Sequence, residues 1–299
     1  MTAPLLPVTP PFDLRHTLAF LNGFPPAQGE QNTAGELRKA TRLNGQTVGF
    51  VVGQDTAGLK YTLHPEQPLT GAETAALLER LASFLATGDD LQPFYDLAEQ
   101  DTAFGPTLKA MHGFHQPRFL TPFEVACWAV LTQRLPNAQA LRLKRRVTEA
   151  CGGEWEGRPA FPEPTELAGL TEAEWLALVG QERKARALLA VTRAFSEVSE
   201  TELHQRSTAE LRAWLLGLYG IGDWSALFIL VRGLGRKEVL EVGADGPLRK
   251  ELLRAARPIY GDLSAAELTR VAQRYGDQQG QWATYLRSRA AVIGPMVET

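Results

Sequence analysis

Residues 218–234, LYGIGDWSALFILVRGL, decide how this chain folds. A Tyr-Gly break and a second glycine separate two stretches of helical pattern, and the second stretch is an unbroken apolar run. The first stretch opens with Ser207 and Glu210 at the spacing of a capping box, and it puts Leu211, Trp214, Leu215 and Leu218 on one face. Gly220 and Gly222 can adopt positive φ without a Cβ clash, so a tight reversal is expected there, with Asp223 capping a helix that begins at Trp224. The result is a helix, a hairpin and a helix. With no side chains at the two glycines, hairpin amides and the positive end of the second helix can approach a phosphate directly. A plain αα-hairpin with a glycine turn shares this short signature, so the hairpin alone does not separate the two readings.

Working outward, helical patterns recur at about 92–100, 105–112, 121–134, 137–151, 171–178, 182–198, 207–217, 224–234, 246–256, 264–275 and 279–292. Before them, TLAFLNGF (17–24), QTVGFVVGQ (46–54) and LKYTLH (59–64) read as strands, followed by an amphipathic helix over 71–87. No strand is expected after about Asp90, and GRPAFPEP (157–164) reads as the longest loop. The expected class is α+β, mostly α: a mixed domain over 1–90 with a small antiparallel sheet, then an all-α body over 91–299 with room for two subdomains around a cleft.

The chain has 299 residues, 44% of them apolar, which is enough for a real core and suggests roughly two domains. No apolar run approaches the roughly 20 residues needed to cross a bilayer. The start, MTAPLLPVTPPFDL, lacks a basic n-region and an apolar core, so a cytoplasmic protein is expected, and a monomer. The formal net charge of −3 hides local clusters: Arg134, Arg142, Lys144, Arg145 and Arg146 stand against Glu149, and Arg183, Lys184, Arg186 and Arg193 form a second group. Local patches, not net charge, fix where phosphates can sit. Cys127 and Cys151 are the only cysteines, too few for a disulfide framework or a four-thiolate metal site. His112, His115 and His204 show no metal-ligand spacing.

The segment from Leu218 to Ala226 and Arg232-Gly-Leu-Gly together resemble the LPGIGxWTA…R(A/G)LG pattern of the helix-hairpin-helix DNA glycosylases, specifically the 3-methyladenine DNA glycosylase II (AlkA) type. Ala244-Asp245-Gly246-Pro247-Leu248-Arg249-Lys250 is similar to that family's D-x-G-L-x-K/R segment. Upstream, Pro122-Phe123-Glu124, Trp128 and Gln133 to Ala140 resemble its PFE…WAILxQQxSxxxA segment, and Gly180 to Ala194 resembles its G…xKAxAL helix. These matches span about 120–290. The N-terminal sheet fits the family's small TBP-like domain in size and type.

What the resemblance implies is hydrolysis of the N-glycosidic bond of alkylated bases, 3-methyladenine and related adducts, in double-stranded DNA during base excision repair. Asp245 is then the catalytic carboxylate. The transition state is oxocarbenium-like, and an ionised carboxylate stabilises the growing charge and orients a water. Relatives that also cleave the backbone carry a Schiff-base lysine where Trp224 stands, so a monofunctional enzyme is expected. Trp224 and Phe228, one turn apart, are candidates for the base pocket, where a cationic base gains roughly 0.5 to 2 kcal/mol over an aromatic face. DNA contacts are expected from Gly220, Gly222, Gln133, Arg134, Leu135 and Lys184, with Arg134 and Leu135 both open as the wedge that fills the gap behind the flipped base. Trp282 to Ala290 is similar to the family's W…W/Y-R-S-x-A, but the tryptophan that often follows is replaced by Val292-Ile293-Gly294-Pro295, which suggests a more open cleft and bulkier lesions. An iron–sulfur cluster, present in related glycosylases, is excluded by the cysteine count. No organic cofactor or catalytic metal is implied, and a monovalent cation at the hairpin is the one ion the resemblance suggests. Two other functions fit the same motif: a glycosylase for oxidised or mismatched bases, and a non-catalytic helix-hairpin-helix DNA-binding protein.

Overall fold

The structure is a computed structural model that describes residues 4–240, 242 and 248–294. The N-terminal part holds helix α1 (Leu14–Asn22), a four-stranded sheet of β1 (Gln31–Asn32), β2 (Leu37–Leu43), β3 (Gln46–Asp55) and β4 (Gly58–Pro65), and helix α2 (Gly71–Leu85). Every neighbouring strand pair is antiparallel, in the order β1-β2-β3-β4. Leu37, Val48, Phe50 and Val52 of the sheet form one core with Leu14, Leu18 and Leu21 of α1 and Leu77, Leu81 and Phe84 of α2.

Two sequence expectations fail here. TLAFLNGF is helix, not strand: Asp13 caps α1 by accepting the Arg15 amide at 2.9 Å, and Leu14, Thr17, Leu18 and Leu21 are buried at helical spacing. Strand β2, LRKATRL, was not anticipated, because Lys39 sits inside, held by Glu30 at 3.3 Å, and an inward lysine masks the alternation.

The helical body comprises α3 (Gln92–Ala98), α4 (Gly105–Ala110), α5 (Pro122–Leu131), α6 (Asn137–Cys151), α7 (Pro164–Leu167), α8 (Glu172–Val179), α9 (Glu182–Ser196), α10 (Glu200–Gln205), α11 (Thr208–Leu216), α12 (Asp223–Leu234), α13 (Arg249–Tyr260), α14 (Ala265–Gln273) and α15 (Gln279–Ile293). A hairpin of β5 (Gly153–Trp155) and β6 (Arg158–Ala160) interrupts it, which corrects the expectation of no strand after Asp90 and of a loop at 157–164. Its turn uses positive φ at Glu156 and Gly157, and Trp155 stacks on His64 of β4 with centroids 5.0 Å apart. The hairpin thus packs onto the N-terminal sheet.

Two further cores lie in the helices. One gathers α5, α6, α8, α9, α11 and α12; the other gathers α3, α4, α13, α14 and α15. Helix α5 is the axle of the first. Thr121 caps it, Pro122 occupies its first turn, and all ten of its residues are buried. It packs on α9 and α12. The crossing with α12 depends on Gly233, where an added Cβ would stand 2.5 Å from Val125 Cγ1. Among the described residues no helix is long and apolar enough to cross a membrane.

Candidate nucleic-acid interface

Helix α11 begins as its sequence requires: Ser207 Oγ accepts the Glu210 amide at 3.3 Å, and Glu210 takes the Ser207 amide at 2.9 Å. The chain then turns between Leu216 and Asp223. Gly220 has φ +86°, and an added Cβ there would lie 2.4 Å from Ala187 Cβ of α9, so the position needs glycine for both backbone and space. Gly222 differs from expectation. It is extended (φ −105°, ψ −177°), caps α12 without a side-chain bond, and faces open space. Asp223 does not cap either: α12 starts one residue earlier than expected, at Asp223 itself, whose carboxylate takes Arg212 at 2.5 Å. The first amides of α12 therefore meet no side chain at the cap. Of the large apolar side chains exposed among the described residues, Tyr219 and Trp224 flank this turn, at 48% and 49% exposure.

A second loop is tied to the hairpin. Gln133, just past α5, donates from Nε2 to the Gly220 carbonyl at 2.7 Å and approaches Ser225 Oγ at 3.4 Å. The next residue, Arg134, is exposed and holds φ +57°, a left-handed conformation costly for a non-glycine residue. Leu135 beside it is half-buried. Lys184, expected among the DNA contacts, is buried. Its ammonium donates to the carbonyls of Val130, Leu131 and Gln133 at 2.8–2.9 Å. All three donors are used, so Lys184 braces the end of α5 and this loop and has none left for a phosphate. Burial lowers its pKa to about 8, against which the three carbonyls favour the charged form. Lys144 of the other basic cluster is likewise buried, whereas Arg142, Arg145, Arg146, Arg183, Arg186 and Arg193 remain exposed.

Behind the hairpin, between the two helical cores, lies a cavity of about 160 Å³. Trp224, Leu227, Phe228, Val231 and Arg232 of α12 form one wall; Leu240, Leu248, Glu251 and Arg287 form the other. Trp224 and Phe228 stack in parallel, with centroids 5.2 Å apart and planes 8° apart, and Phe228 meets the edge of Phe119 at 5.9 Å. Glu251 accepts Arg287 Nε at 2.8 Å. Asp245, with Gly243, Gly246 and Pro247, lies outside the described residues. The described residues next to that stretch are Val242 and Leu248; Leu248 lines the cavity, as does Leu240 further upstream.

The cavity also contains residues that sequence reasoning did not assign. Arg232 was visible only as part of a motif, although its spacing from Trp224 and Phe228, two turns and one turn, puts it on their face of α12. Arg287 was visible only as part of the C-terminal motif and Glu251 carried no signal, because their pairing joins α13 to α15. Trp282 and Tyr285, quoted for the C-terminal motif, are fully buried in the second helical core and do not line the cavity. Among the described residues no group of histidine, cysteine and carboxylate side chains is arranged to hold a metal ion.

No family model matches the chain. It is 26% identical over 178 residues to a DNA-3-methyladenine glycosylase of Bacillus subtilis, a match covering 58% of this chain and 59% of the relative's length. Its structure superposes on the 3-methyladenine DNA-glycosylase of Archaeoglobus fulgidus with a TM-score of 0.72 at 19% identity, covering 99% of this chain and 100% of the other. It also superposes on a Clostridium acetobutylicum 8-oxoguanine glycosylase/lyase bound to double-stranded DNA, with a TM-score of 0.61 at 14% identity, covering 97% and 98% of the two chains. The chain therefore has the fold of the helix-hairpin-helix DNA glycosylases, and in sequence it is similar to the DNA-3-methyladenine glycosylases.

Proposed function

We propose that the chain is a monofunctional DNA glycosylase that hydrolyses the N-glycosidic bond of alkylated bases in double-stranded DNA. The observation that carries this reading is the half-exposed Trp224, stacked on Phe228 at a cavity that opens directly after the glycine hairpin. A base turned out of the duplex needs an aromatic surface at the point where the backbone is gripped, and α12 supplies both from adjacent residues. The hairpin amides and the uncapped start of α12 would hold phosphates, and the exposed Arg134 or the neighbouring Leu135 would enter the gap. The similarity to 3-methyladenine glycosylases supports alkylated bases as the substrate class.

In this reading Asp245 is the catalytic residue. Its carboxylate stabilises the sugar as the bond to the base lengthens and positions water for attack at C1′, while the base leaves with the bonding electron pair. Leu248, which follows that stretch directly, and Leu240 upstream of it stand on the cavity wall and support that assignment. No lysine is among the described residues lining the cavity, which fits hydrolysis without a Schiff base. The replacement of the C-terminal pocket tryptophan by Val292-Ile293-Gly294 supports a wider lesion range. A monovalent cation at the hairpin would bind backbone carbonyls. Those of Leu218 and Gly220 already accept bonds from the Ile221 amide and from Gln133, leaving each a second lone pair. What such an ion supplies is positive charge beside a phosphate.

The test is base release from methylated duplex DNA by the purified chain, beside Asp245→Asn. Expected are release of 3-methyladenine by the native chain, loss of release by a factor of 10³ or more in the variant with duplex binding retained, and no borohydride-trapped adduct. Binding without release by the native chain would leave a DNA-binding module, and release confined to oxidised bases would overturn the alkylation assignment.

A further inference from the structure

We propose that Arg183 and Arg186, exposed on the first two turns of α9, form a second backbone grip beside the hairpin: they bind the DNA phosphates next to those held by the hairpin amides, the glycosylase reading supplying the identity of the partner. Their placement follows from one close approach. Gly220 lies against Ala187 of α9, where an added Cβ would stand 2.4 Å from the alanine's own. Arg183 is one turn before Ala187 on the same stripe of the helix, so the Cβ atoms of the two are about 5–6 Å apart and Arg183 is rooted beside the hairpin's footing. Lys184, the next residue, donates to the carbonyls of Val130, Leu131 and Gln133, which sets the same turn of α9 against the loop that carries Arg134. Arg186 precedes Ala187 and interacts with the hydroxyl of Tyr219, the half-exposed neighbour of Gly220.

Both guanidinium groups have donors to spare. Arg183 makes no hydrogen bond or ion pair with any described residue. Arg186 donates from Nε to Glu172 at 3.1 Å, but the two side chains are 56% and 45% exposed, and a pair so open to water is weak. Its terminal nitrogens carry more N–H groups than the Tyr219 hydroxyl can accept. The acids nearby do not cancel these charges: Glu182 adjoins Arg183 in the chain but points about 100° away around the helix, and Asp223, across the hairpin, is paired with Arg212. A DNA strand carries one phosphate for every roughly 3.4 Å of axis, so cations rooted one turn from the hairpin contact meet the neighbouring phosphates of the same grip. Guanidinium and phosphate match in charge and in the geometry of two parallel bonds.

The measurement is affinity for an abasic duplex as a function of salt, where log K falls against log[salt] with a slope of about 0.9 for each phosphate neutralised. Arg183→Gln and Arg186→Gln are each expected to lower that slope by about 1 and the double variant by about 2, with affinity at moderate salt about fivefold weaker in each single variant. Arg183→Lys should keep the native slope, because a phosphate contact needs the charge more than the fork. Arg193→Gln removes the same charge from the same helix, six residues beyond Ala187 and about 9 Å along the axis, and should leave the slope unchanged. The ratio of kcat/KM for 3-methyladenine to that for 7-methylguanine should stay within about twofold of native in every variant, since a backbone contact carries no information about the base. A native slope in the double variant overturns the proposal, and so does an equal loss in Arg193→Gln, which would mean diffuse attraction without a grip. A shifted ratio of released bases would assign these arginines to the bases and overturns it as well. A native chain that binds the duplex and releases nothing defeats the glycosylase reading while the slopes still decide the arginines; a chain that binds no duplex defeats both.

Discussion

Gln133 donates from Nε2 to the carbonyl of Gly220 at 2.7 Å, so the loop bearing Arg134 and the hairpin before α12 are held as one surface. Gln133→Ala removes the tie and should cost about 1 kcal/mol of stability. Gln133→Glu should cost more, because it sets a carboxylate oxygen against the Gly220 carbonyl and turns an attraction into a repulsion. The order native, alanine, glutamate should appear both in denaturation midpoints and in affinity for an abasic duplex. Glutamate matching the native chain would show that the bond does not organise the surface.

The two hairpin glycines should separate experimentally. Gly220→Ala forces a left-handed backbone on alanine, about 1–3 kcal/mol, and drives its Cβ into Ala187, so loss of fold stability is expected. Gly222→Ala meets open space at an ordinary φ, and only the weaker capping propensity of alanine counts against it, about 1 kcal/mol or less. Its new methyl stands before the α12 amides, so a near-native melting temperature with weakened duplex binding is expected. Equal melting losses for the two variants would contradict the geometry.

This asymmetry shows how far the sequence could be read. The hairpin, the helix lengths and the placement of Trp224 and Phe228 on one face follow from local signals: a capping box, glycine spacing and 3.6-residue periodicity. The two glycines looked equivalent because nothing local distinguishes them; Ala187, thirty-odd positions upstream, makes Gly220 the constrained one. Lys184 misled for the same reason. A lysine in a basic stretch reads as a surface charge until the end of α5 places three carbonyls around it. The strand reading of TLAFLNGF failed because its helical face is buried on the sheet and on α15, contacts that local pattern does not register.

Acid should loosen the contact between the N-terminal part and the turn that follows α12. Asp89 pairs with Arg118 at 2.5 Å and Lys237 at 2.6 Å. Burial opposes ionisation, but the two cations prevail and hold its pKa at about 2 against an ordinary 3.8. A carboxyl depressed on folding stabilises fully above its unfolded pKa and loses that contribution as pH falls through its folded pKa. The window is therefore pH 4 down to 2, and the contribution is about 2 kcal/mol. Asp89→Asn should remove this part of the acid dependence while lowering stability at pH 7. An unaltered slope of stability against pH in that window would refute the assignment.

The buried ion cluster at α6 offers the sharpest test of what joins the N-terminal part to the helical body. Lys144 Nζ reaches both Glu30 oxygens at 2.7 and 2.8 Å, Glu124 at 2.6 Å and the Pro26 carbonyl at 2.8 Å, while Lys39 pairs with Glu30 at 3.3 Å. Burial penalises both Lys144 and Glu30, yet the mutual attraction keeps Lys144 protonated, its pKa above the ordinary value, and Glu30 ionised. Lys144→Met leaves Glu124 with no cation and Glu30 with Lys39 alone, which should cost about 3–5 kcal/mol. Removing Glu124 as well, in Lys144→Met with Glu124→Leu, takes away the orphaned charge and should recover a large share of that loss, since two apolar side chains can fill the same space. Denaturant titration of the native chain, each single variant and the double variant closes the cycle. Losses that simply add would mean that the cluster is not coupled, and that the N-terminal segment is held to α5 and α6 by apolar packing alone.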